Sequence, residues 1–342
     1  MVKLSYIRYY VIFFFMVLLI GCKREAPTSP KEIPKGVFIQ KIAFANFDSL
    51  YSPKIAVGDL YNDSGTFRLY NVNKLVNGES PCLSKDQSWI AYISYGNNLT
   101  LRKINVNGTG DSEILITPSD LTPQLVQISP DNSTLSVLAG GYFTGTSVGI
   151  IPAAGGVFKV IYNQGWSNTD WSQDSKTIFF SWPDMQNQLG HNVPPLAKKY
   201  IASINVDGAG MKFISDTADG LSDDMEPNIS PDGKSIVFDS FRSHSEGVFP
   251  EVFSMDINGN NVLKLTEAKI SSKNGNHYDY YSMDNSPQWL KDGQHIIFQR
   301  EYDQYDYNIM QYKYSYDLYI VNKDGTGLQN LTNNGKSTLY KK

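Results

Sequence analysis

Histidine and cysteine are scarce: the 342-residue chain holds four His and two Cys. His191, His244, His277 and His295 show neither HxxxH nor HxH spacing, and no CxxC occurs, so the ligand patterns of zinc sites are missing. A GxSxG nucleophile elbow is missing as well, with no α/β segment to mount one. Charged residues are only 19% and the formal net charge is −4, which leaves no basic face for nucleic acid. After residue 22 no apolar run is long enough to span a bilayer. These lacks argue against a metalloenzyme, a hydrolase and a nucleic-acid binder. No cofactor and no metal are expected, and the chain is not expected to be an enzyme.

What is present starts with a leader. Lys3 and Arg8 precede an unbroken apolar run over residues 11–20, followed by Leu19-Ile20-Gly21-Cys22. The pattern resembles a bacterial lipobox, which implies a signal peptide over residues 1–21 and lipidation of Cys22. Acylation of Cys22 would leave Cys82 as the single thiol, with no intrachain disulfide. Cys82 lies in an apolar strand pattern and reads as a buried small hydrophobe. Residues 22–35 carry Pro27, Pro30 and Pro34 among polar neighbours and read as a tether of roughly 40 Å reach.

The whole chain is rich in aromatics, with 22 Tyr and 17 Phe, and beyond the tether it is organised by a repeat. At residues 227–238 an apolar residue precedes Ser-Pro-Asp-Gly and then the run Ile236-Val237-Phe238. Pro231 presets φ, Asp232 can bond its own backbone, and Gly233 accepts φ > 0. Five copies align on Asp86, Asp131, Asp174, Asp232 and Asp292, spaced 45, 43, 58 and 60 residues apart. Each is followed by a second hairpin with a turn such as Asn107-Gly108, Gly155-Gly156, Asp207-Gly208, Asn258-Gly259 or Asp324-Gly325, where both central residues are expected at φ > 0. Two hairpins per repeat make a four-stranded blade, so the fold class is all-β: a six-bladed β-propeller over residues 36–342.

Blades are expected at about 36–79, 80–118, 122–163, 166–216, 224–267 and 286–340. The first copy is incomplete. Residues 41–45 read as its second strand, 67–72 and 75–79 as its third and fourth, and 47–66 as an insertion. Residues 337–340 are expected to supply the missing first strand, with residues 37–40 as the alternative.

The stretch from Ile229 to Phe238, then Ser240-Phe241-Arg242, Glu251 to Gly259 and Leu263 to Thr266, resembles the repeat of the TolB-type propeller family, and so does the sixth copy. The resemblance covers about residues 40–335. It implies a cell-envelope protein. The namesake is a soluble periplasmic member of the Tol–Pal system with an α/β domain before its propeller, where this chain has the short tether.

Candidate binding residues cluster in blades five and six. Asp223, Asp224, Glu226 and Asp284 are joined by Tyr278, Tyr280, Tyr281, Tyr305 and Tyr307. Asp224 and Asp284 stand three residues before a repeat proline and are expected in loops at the channel mouth. Tyrosines offer rigid area with a polar tip, which suits a protein partner. Stacked tyrosines beside carboxylates also suit a glycan, bound or cleaved, if the carboxylates have the required separation. The favoured reading is a non-catalytic scaffold lipoprotein, tethered to the membrane through Cys22, probing an envelope protein from the periplasmic or surface face of the outer membrane.

Overall fold

The computed structural model describes residues 34–46, 53–95, 98–114, 122–141, 145–183, 198–215, 223–242, 249–271, 273–274, 277–278, 280–307 and 311–332. Five four-stranded antiparallel sheets follow one another along the chain, each meandering from its first strand outwards. They are Glu79–Leu83, Trp89–Ser94, Thr100–Asn105 and Ser112–Glu113; then Thr122–Ile128, Thr134–Gly141, Gly145–Pro152 and Lys159–Asn163. The fourth blade holds Asp170–Trp171, Thr177–Pro183, Lys199–Asn205 and Lys212–Phe213. The fifth holds Asp224–Ile229, Ser235–Ser240, Glu251–Asp256 and Leu263–Lys264, and the sixth Tyr280–Trp289, His295–Asp306, Gln311–Asn322 and Gln329–Asn330. A sheet of Val37–Asn46, Lys54–Asp63 and Thr66–Asn77 precedes them as the first blade.

Strand alternation packs the blades into a ring. In the fifth blade Ile236 and Phe238 meet Phe179 and Ile201 of the fourth, while Val237 between them meets Ile296 and Phe298 of the sixth. Each blade is therefore apolar on both faces, and each fully buried Ile, Val or Phe contributes roughly 1.5–3 kcal/mol. The seam between first and last blades is built the same way: Ile42, Phe44, Ala56, Leu60 and Phe67 pack against Leu290, Ile297, Ile320 and Leu331. Gln329 ties it, accepting from Phe67 N and donating to Gly65 O. That seam closes the ring.

The first blade departs from expectation. Lys54–Asp63, inside the expected insertion, is a ten-residue strand, and Thr66–Asn77 is one strand where two were expected. Val37–Asn46 begins among the turns, with Lys41 N donating to Gln87 and Gln40 accepting from Lys291 N. It ends near Gly78, whose N–H bonds Pro53 O at the far end. It thus runs in the direction of a second strand, and residues 37–40 belong to it. The three strands take the second, third and fourth places of a blade. The expected donor of the first place, residues 337–340, lies outside the described residues. In the sixth blade residues 301–306 and 311–316 are strand. The second and third strands run for 12 residues each and pair throughout.

Turn chemistry sets one end of the ring. Ser84, Ser129, Ser172 and Ser230 each donate to the aspartate two residues on, at 2.5–2.6 Å. The same hydroxyls accept the N–H of Trp89, Thr134, Thr177 and Ser235. The residue after each aspartate (Gln87, Asn132, Ser175, Gly233 and Gly293) has φ between 60 and 71°. In the Gly155-Gly156 hairpin both central residues are at positive φ, 95° and 151°, while in the other four outer hairpins the glycine is left-handed, at 83–92° for Gly108, Gly208, Gly259 and Gly325. The Asn or Asp before it is not. Asn105 N bonds Thr109 O and Gly108 N bonds Asn105 O, which makes a type I turn closed by a glycine bulge and not the two-residue primed turn expected.

Candidate functional site

The acidic residues singled out in blades five and six all lie at the end of the ring opposite the turns, and the fold uses most of them internally. Asp224 opens the first strand of blade five and is fully buried. Arg242 donates to both of its oxygens, at 2.6 and 2.7 Å, and Ser240 to one at 2.7 Å. Asp284 holds the same place in blade six. Arg300, its cross-strand partner, donates at 2.5 and 2.6 Å and lies over the Tyr319 ring at 4.9 Å. Both aspartates are in strands, not loops. Burial pushes each carboxyl up, and the adjacent guanidinium opposes the shift.

Asp223 accepts from the buried ammonium of Lys199 at 2.9 Å. Glu226 sits at φ +53° in a bulge and bridges three blades. Its N–H reaches Ser167 and Ser181 of the fourth, and its carboxyl accepts from Ser286 of the sixth at 2.6 Å. Burial raises it. Asp239 is missing from the expected set. It is buried beside Glu226 with one oxygen unbonded, and burial and then the Glu226 charge hold its carboxyl well above the ordinary range. A second acid pair, Glu301 and Asp303, follows at the end of blade six, with burial and then Glu301 pushing Asp303 up to about 8.

The tyrosines divide differently. Tyr281 is buried against Phe249, 4.7 Å between ring centroids. Tyr280 stacks on Tyr302 at 5.8 Å, and the Tyr302 hydroxyl bonds that of Tyr319. Burial raises the Tyr280 phenol to about 12. Tyr305 is buried and supports Tyr307 edge-on at 4.9 Å, leaving Tyr307 49% exposed. Tyr278 pairs with Lys273 in a two-stranded ribbon. Among the described residues no cluster of three His, Cys, Asp or Glu is placed to hold a metal. His295 packs on Phe67 at 4.7 Å and faces Asp292.

Sequence reasoning missed a ring at the opposite end. The residue just before each repeat's apolar position is polar: Cys82, Gln127, Asp170, Asn228 and Gln288. Alternation turns these side chains away from the blade cores, and they line an axial cavity of about 180 Å³. Three of them reach to the next blade. Cys82 accepts Ile128 N, Asp170 accepts Ile229 N at 2.6 Å and the Asn228 amide at 2.9 Å, and Asn228 accepts Trp289 N at 2.7 Å. Cys82 packs against the apolar core of blades two and three, as expected of a small hydrophobe, and is also a member of this ring. Its thiol donates to Gln127 at 2.9 Å, and burial pushes it up to about 12. The signal was the fixed position, visible once the five copies are stacked.

No protein-family model and no curated protein matches the chain. Solved structures do. A TolB-type protein of Agrobacterium tumefaciens aligns over 89% of this chain and 90% of its own, at 17% identity and a TM-score of 0.57. TolB of Acinetobacter baumannii aligns over 85% of this chain at 16% identity and a TM-score of 0.60. The fold is the TolB-type six-bladed propeller. The chain spans 63% of the length of the Acinetobacter TolB, and the likeness is one of fold.

Proposed function

We propose that the chain is a non-catalytic protein-binding propeller of the bacterial envelope, held to the membrane by a lipid on Cys22 and presenting the long-loop end of blades five and six to a protein partner. The observation that carries this reading is the internal neutralisation of the acids. Asp223, Asp224 and Asp284 each have a cation of this chain at 2.5–2.9 Å, so they are poor candidates for cleaving a glycosidic bond. One aromatic side chain there faces solvent. Tyr307 is exposed yet held by the buried Tyr305, the rigid, polar-tipped kind of side chain that anchors protein interfaces. Crosslinking of the full-length protein in intact envelopes is expected to recover a discrete protein, lost on Tyr307→Ala. A partner set unchanged by that substitution rejects the site. The anchor has its own test: Cys22→Ala should abolish incorporation of a labelled fatty acid, and persistent labelling contradicts it.

A further inference from the structure

The axial cavity at the turn end has a bias in what its side chains still offer. Gln40 accepts Lys291 N, Gln87 accepts Lys41 N, and Gln127 accepts the Cys82 thiol, so in all three the amide oxygen faces protein. A backbone N–H can only donate, so the orientation of Gln40 and Gln87 follows from their partners. The NH₂ groups of all three are left for whatever enters the cavity they line. Several acceptors are already engaged: one Asp170 oxygen by Ile229 N and Asn228, the Asn228 oxygen by Trp289 N, and the Ser230 carbonyl by Gln173. Lys85 and Lys291 stand at the rim, Lys291 reaching across the ring to the Lys85 carbonyl at 2.9 Å. Burial and then the Lys85 charge lower the Lys291 ammonium, so two like charges are held close. The cavity offers donors and cations.

We propose that the turn end of the channel is an oxyanion site, taking a carboxylate or phosphate carried by a small polar molecule, with Lys85 and Lys291 as its cations and Gln40, Gln87 and Gln127 as its neutral donors. The opposing charges are few. Lys41 is already paired with Asp59 at 2.6 Å. Asp86 lies near Lys291 but is turned into bonds with Ser84 and Ser88. The turn aspartates Asp131, Asp174 and Asp232 are likewise held by their serines, and Asp292 faces His295. Among the described residues that line the cavity Asp170 is the one carboxyl, and burial raises it to about 7. An anion beside it favours its protonated form, so affinity should rise as pH falls through that value.

The test is calorimetric titration of the full-length protein with acetate and, separately, inorganic phosphate, which distinguishes the two chemistries. Saturable binding of at least one is expected, weakened by about tenfold in Lys85→Ala and in Lys291→Ala. Both lysines are exposed, so neither substitution should unfold the chain, and a thermal melt checks this. With sulfate, which does not titrate near neutrality, affinity should fall as pH rises from about 6 to 8 and the slope should vanish in Asp170→Asn. No saturable binding of either anion, or binding indifferent to both lysine variants, overturns the site. A slope that persists in Asp170→Asn assigns it to another group and overturns the role given to Asp170.

Discussion

The two ends of the propeller use aspartate in opposite ways. At the turn end Asp86, Asp131, Asp174 and Asp232 are exposed, and a serine hydroxyl first and backbone N–H groups next hold each carboxyl below its ordinary range. At the loop end Asp224, Asp239, Asp284 and Asp303 are buried, and desolvation pushes each one up. One end repeats because every blade must make the same bend. The other varies because each blade solves the burial of its acids differently: blade six with an arginine directly across the strand pair, blade five with one two residues further on. A repeated residue here marks architecture. The departures from the repeat mark the surface proposed for a protein partner.

The contrast can be broken most severely at the loop end. Arg300→Ala leaves Asp284 buried without its cation and should cost about 3–5 kcal/mol in a urea melt. A loss under about 1 kcal/mol would mean that water replaces the guanidinium and that the pair is not structural. At the turn end Ser230→Ala removes the partner of Asp232 and of two backbone N–H groups, for an expected loss of about 1–3 kcal/mol. Equal losses at both ends would erase the distinction.

The pH dependence should separate the ends by sign. A depressed folded value, as in the turn aspartates, gives stability that is present above the unfolded value near 4 and lost as pH falls through the folded one. A raised value does the reverse. Asp303 should favour the folded state below the unfolded value and lose that contribution as pH rises towards about 8. Asp303→Asn should therefore be the more stable protein above that pH, by on the order of 1 kcal/mol. The smallest effect is expected for Tyr307→Ala, whose melt should move by less than about 0.5 kcal/mol because the side chain is half exposed.

Most of the fold was legible because its rules are local. Ser-Pro-Asp-Gly before an apolar run specifies a bend, and five stacked copies specify blades. The first blade was harder to read, since Lys54–Asp63 carries no copy of the repeat turn before it and looked like an insertion. Asp224 and Asp284 were found, but their role was misplaced. Arg242 and Arg300 lie 18 and 16 residues away in sequence, and only strand pairing brings them within bonding distance. Asp170 and Asn228 escaped notice because each looks ordinary in its own strand. Their ring exists only when adjacent blades are closed against each other.

The central claim, that a protein partner is recognised at the loop end and not at the turn end, has one direct measurement. Full-length protein carrying Tyr307→Ala or Lys85→Ala is crosslinked in intact envelopes, and the captured proteins are compared with those of the unaltered chain. Loss of a discrete partner with Tyr307→Ala and its retention with Lys85→Ala is the predicted result. Retention with Tyr307→Ala and loss with Lys85→Ala would contradict it.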